Sequence, residues 1–407
     1  MRRSFLFLQG PCTPFFTRLA DRLRADGHRV FRINFCAGDA FYWGRRDAWN
    51  FRGSPDDLRG FLDEKYRRHS ITDQILFGDR RPVHRPAVAH GEVCRVRTHV
   101  FEEGYFRPWW VTLEREGVNG HSLLPRDPDW FREKGAMLAE QEEAVLFDSP
   151  FRVRALHDVV YHTAGALNPL LFPGYRTHAT VTAPLEYAAY LKRFTLLRLI
   201  RAREQQRIRA LIEAGIRYYV LPLQLNSDAQ IRDHSRFAHM GEVIEYVLES
   251  FARHAPSDAK IVIKNHPLDT GLMHYGKIIR DCERRFDLAG RTVYLEEGDL
   301  VTLLRHAQGV VTVNSTVGII ALEHGTPTVT LSDPIYNLPG LACQLPLDDF
   351  WMSAPAPDAE LYARFKRVVM AATQVNGGFY CSRGIGLAVE NSARILTAER
   401  SPLEALL

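Results

Sequence analysis

The stretch GVVTVNSTVGIIALEHGTPTVTL, residues 309–331, decides the reading of the fold. Its apolar run Gly309–Val313 is short and β-branched, as expected of a strand buried on both faces. Asn314-Ser315-Thr316 supplies helix-capping residues, and Thr316–Glu323 continues at helical spacing. Gly325 ends that helix, Pro327 restarts an extended chain, and Thr328–Leu331 reads as the next strand. The same alternation extends upstream. Strand Tyr218–Leu221 leads to helix Phe237–Arg253, strand Lys260–Ile263, a further helix, strand Val293–Leu295 and helix Leu300–His306. Strands alternating with helices imply parallel strands joined by right-handed crossovers.

The beginning of the chain repeats the theme. Residues 4–8 read as a buried strand, Phe15, Phe16, Leu19 and Leu23 mark one face of a helix, and Gly27 precedes strand Arg29–Phe35. Residues 41–150 are less regular, with short strands expected at Gln74–Phe77 and Val83–Ala89. Helical spacing returns over 181–214 through Tyr190, Phe194, Leu197 and Ile200. The fold class expected is α/β, two doubly wound domains facing across a cleft. Their expected extents are 1–205 and 206–375, with 376–407 packing back on the first.

Composition bounds the function. A chain of 407 residues exceeds one ordinary core, so two domains of about 200 residues each are expected. Hydrophobic content of 46% with 25% charged residues is that of a globular protein. A net charge of +4 is too small over this length to point to nucleic acid. Cys12, Cys36, Cys94, Cys282, Cys343 and Cys381 show no metal-type spacing and suit reduced thiols of a cytoplasmic protein. The apolar start Phe5-Leu6-Phe7-Leu8 stops at Gln9-Gly10-Pro11, too short for a secretory leader. No run approaches the ~20 apolar residues of a membrane span.

Several loops carry chemistry. Asn314, Ser315 and Thr316 at a strand-to-helix turn either cap the helix or hold a phosphate or sugar carboxylate. Glu323 and His324 close the same helix; the carboxylate either accepts a ribose diol or faces solvent. Lys264-Asn265-His266-Pro267 follows a strand directly, where ligands of open parallel sheets bind, although a surface Lys-His pair would look the same. Asp228, in the loop after Tyr218–Leu221, is a candidate base or nucleophile at an anomeric carbon, or makes an Asx turn. In the first half, Phe101–Trp110 combines Glu103, a second carboxylate candidate, with Gly104, Tyr105, Arg107 and two tryptophans. That mixture, with Phe41–Arg46, suits either a core with basic surroundings or contact with anionic lipid headgroups.

These residues resemble a known family. Leu8-Gln9-Gly10-Pro11, Gly27-His28, Ile33-Asn34-Phe35 and Gly38-Asp39 resemble the opening of KpsS/LipB-type capsule polysaccharide proteins. Glu103-Gly104-Tyr105-x-Arg107-Pro108, Pro222-x-Gln224, Lys264-x-His266-Pro267, Asn314-Ser315-Thr316 and Glu323-x-Gly325-x-Pro327 follow in the family's order, over residues 4 to about 335. The resemblance implies a GT-B-like fold and a β-Kdo transferase, moving Kdo from CMP-Kdo to a (lyso)phosphatidylglycerol acceptor to start a poly-Kdo capsule linker. It implies a donor site of Lys264, His266, Asn314, Ser315, Thr316, Glu323 and His324, and an acceptor side of Gln9, Tyr105 and Arg107. Asp228 is the favoured catalytic carboxylate, with Glu103 replacing or assisting it. CMP-Kdo carries one phosphate and one carboxylate and no diphosphate, so no metal or other cofactor is expected. The expected place is the cytoplasmic face of the inner membrane, beside other capsule assembly and export proteins. The rivals are a GT-B relative using another donor, such as a sialyltransferase or a teichoic-acid-type polymerase, and a non-catalytic assembly or export partner.

Overall fold

The computed structural model describes residues 2–140, 143–176, 183–225 and 235–407. The chain divides into two compact units. The first comprises Met1–Pro125, Ala136–His178 and Lys366–Leu407; the second comprises Arg126–Gly135 and Ala179–Phe365.

The first unit is built on a seven-stranded sheet. Its strands are β1 (Ser4–Phe7), β2 (Arg29–Asn34), β3 (Trp49–Asn50), β4 (Asp73–Phe77), β5 (Arg97–Glu103), β6 (Trp110–Arg115) and β12 (Gln374–Asn376), in the order β12-β6-β5-β4-β1-β2-β3. β1 pairs in parallel with β2 and β4, and all four of its residues are buried, which is why that segment reads as continuously apolar. Only β6 and β12 run antiparallel to their neighbours. Helix Phe15–Ala25 buries Phe15, Phe16, Leu19, Ala20 and Leu23. These meet Ile385, Ala388, Val389 and Leu396 of helix Ser382–Thr397, near the carboxyl end, in one core cluster. The returning segment thus completes this core, and it starts at Lys366 rather than residue 376. The strand expected at Val83–Ala89 is not formed. Residues Arg85–Cys94 form a helix with proline in its first turn, a position where the missing N–H costs nothing.

The second unit carries a five-stranded, wholly parallel sheet. β7 (Tyr218–Pro222), β8 (Lys260–Lys264), β9 (Thr292–Leu295), β10 (Gly309–Thr312) and β11 (Thr328–Thr330) lie in the order β11-β10-β7-β8-β9. Helix Met240–His254 buries Val243, Ile244, Val247, Leu248 and Phe251 against the sheet. It starts later than Phe237 because His239 accepts the Glu242 N–H at 3.3 Å, while the Glu242 carboxylate accepts the Ala238 N–H at 2.7 Å. That reciprocal cap fixes its first turn.

The long helix Ala183–Glu213 belongs to the second unit, so the divide falls before this helix and not at residue 205. Its later turns explain why. Ile208 and Leu211 are buried in a cluster with Tyr218, Val220, Val262, Leu303 and Leu304, and Arg207 donates to the Tyr294 carbonyl at 3.0 Å. Tyr190 and Leu197 support the helical reading, one bonding the Leu268 carbonyl at 3.2 Å and the other buried. The side chain of Phe194 lies outside what is described. Residues 126–135 also join this unit: Phe131 packs on Phe365, and Arg132 bonds Asp358 at 2.9 Å.

The turn between β5 and β6 tolerates only glycine at its start. A Cβ at Gly104 would lie 2.2 Å from the Trp110 carbonyl oxygen, which is backbone and has nowhere to go. Gly104→Ala is therefore expected to destabilise the protein by about 2 kcal/mol or more. Gly386→Ala, in an exposed helical position with nothing within 4 Å, should leave stability unchanged or raise it by up to about 1 kcal/mol. Urea denaturation of the two variants checks both signs.

Candidate functional site

In the second sheet β8 and β9 follow on one side of β7, and β10 and β11 on the other. Strand order therefore reverses between β7 and β10, and the loops leaving their carboxyl ends diverge. Open α/β sheets bind ligands in the crevice so formed. Gln224, two residues past β7, reaches across it. Its Nε2 donates to Asn314 Oδ1 at 3.0 Å, and its Oε1 accepts the Asn314 N–H at 3.4 Å. Gln224 is buried, so this paired amide clamps the two loops together.

Beyond Asn314 the chain enters helix Val317–Glu323. Ser315 Oγ accepts the Val317 N–H at 3.2 Å, so this hydroxyl does the capping. Tyr336 donates its hydroxyl to the Ser315 carbonyl at 2.5 Å. Gly318 makes that approach possible, since a Cβ there would stand 2.3 Å from the tyrosine oxygen. Asn314, Ser315 and Thr316 remain partly exposed at the crevice.

β8 contributes the neighbouring loop. Asn265 Oδ1 accepts the His266 N–H at 2.8 Å, Asn265 Nδ2 donates to Asp269 at 3.2 Å, and His266 Nδ1 accepts the Leu268 N–H at 3.1 Å. The last bond places the neutral imidazole's proton on Nε2. Lys264 is buried and its ammonium donates to the Asn265 carbonyl at 2.9 Å. Burial pushes its pKa down; Glu297 and Glu204 act against this, and Arg193 with it. Lys264 thus holds the histidine loop from behind rather than presenting its charge at the surface.

Glu323 and His324 lie elsewhere. The helix runs back from the carboxyl edge for about 10 Å before reaching them, so they stand where the chain enters β11, towards the amino edge of the sheet. The loops of His266 and Asn314 lie at that carboxyl edge; the Glu323–His324 segment does not, because a crossover helix must return the chain to the start of the next strand. Glu323 is exposed. Asp228 lies outside the described residues.

The first sheet repeats the reversal, between β1 and β4. Gln9, two residues past β1, is again buried at the crossing. Its Nε2 donates to Asp39 at 3.3 Å and to the Tyr161 hydroxyl at 3.1 Å, and its Oε1 accepts from Arg81 at 3.3 Å. Arg32 pairs with Asp39 at 3.1 Å, both buried. Arg32, Arg81 and Tyr161 were not singled out in the sequence. The available signal was the position of Gln9 and Gln224, each two residues beyond the first strand of its sheet.

Glu103, at the end of β5, accepts the Tyr380 hydroxyl at 2.8 Å and lies 3.5 Å from Arg154, whose guanidinium sits over the Tyr380 ring. Tyr105 does not face a ligand. It is buried, with its hydroxyl donating to Glu114 at 2.8 Å and accepting the Asn119 N–H at 2.7 Å. Burial first, then the Glu114 charge, raises its pKa well above the ordinary phenol value. Arg107 is exposed, with Nε on the Gly104 carbonyl at 3.2 Å. In Phe41–Arg46, Phe41 is exposed but Trp43 is buried against Phe7. Among the described residues one group has metal-type donors close together: His90 Nε2 lies 3.4 Å from Cys94 Sγ and 3.5 Å from Asp63 Oδ1. None of these is a site candidate from the sequence.

A family model described as capsule polysaccharide biosynthesis protein matches residues 72–380. This chain belongs to that family. Among its relatives is the capsule polysaccharide modification protein LipB of Neisseria meningitidis serogroup B, 37% identical over 391 residues, covering 93% of this chain and 91% of the relative. Another is the capsule polysaccharide export protein KpsS of Escherichia coli, 34% identical over 379 residues, covering 93% and 97%. Both carry the family names suggested by the ordered motifs. Among solved structures, the β-Kdo 2,7 transferase of Thermosulfurimonas dismutans KpsC aligns with a TM-score of 0.42 and 13% identity, over 97% of this chain and 100% of that one.

Cutting the amide clamp tests the crevice. Gln224→Leu should lower stability by about 1–3 kcal/mol, because Asn314 loses its buried partner. Combining it with Asn314→Leu should cost clearly less than the sum of the single changes, as coupled groups require. A denaturant double-mutant cycle measures this.

Proposed function

We propose that this capsule-family protein is a glycosyltransferase that moves Kdo from CMP-Kdo to a (lyso)phosphatidylglycerol acceptor, beginning the poly-Kdo linker of a capsular polysaccharide. The observation that carries the reading is the Gln224–Asn314 clamp at the strand-order reversal of the second sheet, with His266 on the adjoining loop. Family membership supplies the capsule context, and the relatives' identity over nearly the whole chain supports a shared role.

In this reading the crevice holds the nucleotide. Asn314, Ser315 and Thr316 line it, and His266 donates from Nε2 to the phosphate oxygen as the C–O bond to CMP breaks. Lys264 acts through the loop it holds, as a positioning residue. Asp228 is the proposed carboxylate at the anomeric carbon, and Glu103 the alternative. Gln9 and Arg107 belong to the proposed acceptor side, on the first unit. No metal or other cofactor is proposed, since hydrogen-bond donors such as these can meet one phosphate and one carboxylate.

Work at the cytoplasmic surface of the inner membrane, beside other capsule proteins, belongs to the same proposal. Among the described residues no helix is long and apolar enough to cross a membrane. A second reading, a non-catalytic partner in export, is favoured by the likeness to the Escherichia coli capsule polysaccharide export protein.

The test is CMP release from CMP-Kdo generated in situ, with a fluorescent phosphatidylglycerol-like acceptor. Wild-type protein should release CMP and shift the acceptor. His266→Ala is expected to lose at least about 100-fold in rate, and Asp228→Ala more, with folding intact. Glu323→Ala should retain near-wild-type turnover. Absence of product from the wild type across CMP- and UDP-sugars would favour the export partner.

A further inference from the structure

Helix Leu58–His69 precedes β4, helix Arg85–Cys94 joins β4 to β5, and the two pack against each other in the first unit. Between them lies a cluster of ligand-type side chains that the transfer reaction does not use. His90 and Cys94 stand four residues apart on the second helix, so they project from one face, a turn apart. Asp63 reaches the same place from the first helix.

The distances are those of shared coordination rather than of simple pairing. His90 Nε2 lies 3.5 Å from Asp63 Oδ1 and 3.4 Å from Cys94 Sγ, and one ligand atom from each residue falls within 4.8 Å of the other two. A hydrogen-bonded imidazolium and carboxylate close to about 2.7–2.9 Å. Zinc bonds of about 2.0–2.3 Å at tetrahedral angles set the ligand atoms about 3.3–3.6 Å apart. Two edges of such a tetrahedron are therefore already in place. Sγ also lies 3.9 Å from Nδ1, to the side of the Nε2 lone pair, so seating an ion takes a turn of the Cys94 side chain about its Cα–Cβ bond. Cys94 is the last residue of its helix and only partly buried, which leaves that rotation open.

The surroundings orient the other two ligands. His90 is buried, and Tyr66 stacks on its imidazole with the ring planes 14° apart. Tyr66 is itself held by its hydroxyl bond to Gln74 at 2.6 Å. Arg67 bonds Oδ2 of Asp63, which leaves Oδ1 for the imidazole side. Partners of this kind fix ligand orientation before an ion arrives.

We propose that Asp63, His90 and Cys94 form a site for one zinc ion, with water as the fourth ligand on the partly exposed side. A thiolate, an imidazole and a single carboxylate suit zinc, whereas magnesium and calcium take oxygen ligands. Binding displaces the Cys94 thiol proton. The ion clips the two helices together. Cys94 lies three residues before β5, at the amino edge of the first sheet, and Gln9 stands at the opposite edge. The site thus takes no part in transfer, and the inference does not depend on which nucleotide sugar the protein accepts.

Titration of the metal-free full chain with cobalt(II), followed by displacement with zinc, tests it. Wild type should take one equivalent and show a thiolate-to-cobalt charge-transfer band in the near ultraviolet, which zinc removes and excess magnesium does not. Cys94→Ser should abolish the band, and Asp63→Asn should weaken cobalt binding about tenfold or more. Both positions are partly exposed, so they decide the matter even if His90→Gln fails to fold. Cys12→Ser, at a partly exposed cysteine outside the cluster, should leave the titration unchanged. Added zinc should raise the Tm of wild type and not that of Cys94→Ser, because only the folded site binds. Absence of the band from wild type, a band that survives Cys94→Ser, or affinity indifferent to Asp63→Asn would overturn the proposal. None of these readouts involves CMP release, so they stand apart from the transferase assay.

Discussion

A buried glutamine spanning a reversal of strand order is the constraint on which the candidate sites depend. In each sheet the first strand is flanked on both sides by parallel partners, so the loops leaving it and its fourth-position neighbour diverge. Divergence opens a crevice, but it also leaves backbone and side-chain polar groups without sheet partners. Gln224 meets Asn314 across one gap, and Gln9 meets Arg81, Asp39 and Tyr161 across the other. An amide suits this task, because it donates and accepts at once and carries no charge to desolvate.

The second crevice shows how preorganisation is divided among neighbours. His266 is aimed by the Leu268 N–H on its Nδ1, its backbone is held by Asn265, and Lys264 is buried behind the same loop. Ser315 spends its hydroxyl on the helix start, and Tyr336 holds the Ser315 carbonyl. Few of these groups are idle. By contrast Arg193, on helix Ala183–Glu213, keeps two buried nitrogens without a hydrogen-bond partner.

Much of this was legible in the sequence, and the reasons for success and failure are physical. The parallel strands were readable because burial on both faces demands uninterrupted apolar runs, as in Tyr218–Leu221 and Ile261–Ile263. Val83–Ala89 misled because proline can open a helix as well as punctuate a strand, and neighbouring valines do not show which. Glu323 and His324 look like part of a ligand loop when read in order, yet a crossover helix separates them from Asn314 by its own length. Tyr105 sat in a conspicuous motif, but only contacts distant in sequence show that its hydroxyl is consumed by Glu114 and Asn119. Arg32, Arg81 and Tyr161 escaped notice for the same reason: they are brought to Gln9 by topology and not by spacing.

Hydrogen exchange of the full chain with and without saturating CMP tests the central claim most directly, that the nucleotide occupies the crevice at the reversal beside β7. The account predicts slowed exchange at residues 222–225, 264–268 and 313–317, with residues 323–327 unchanged. Protection of 323–327 with no change at 222–225 and 313–317, or protection confined to the first unit, would contradict it.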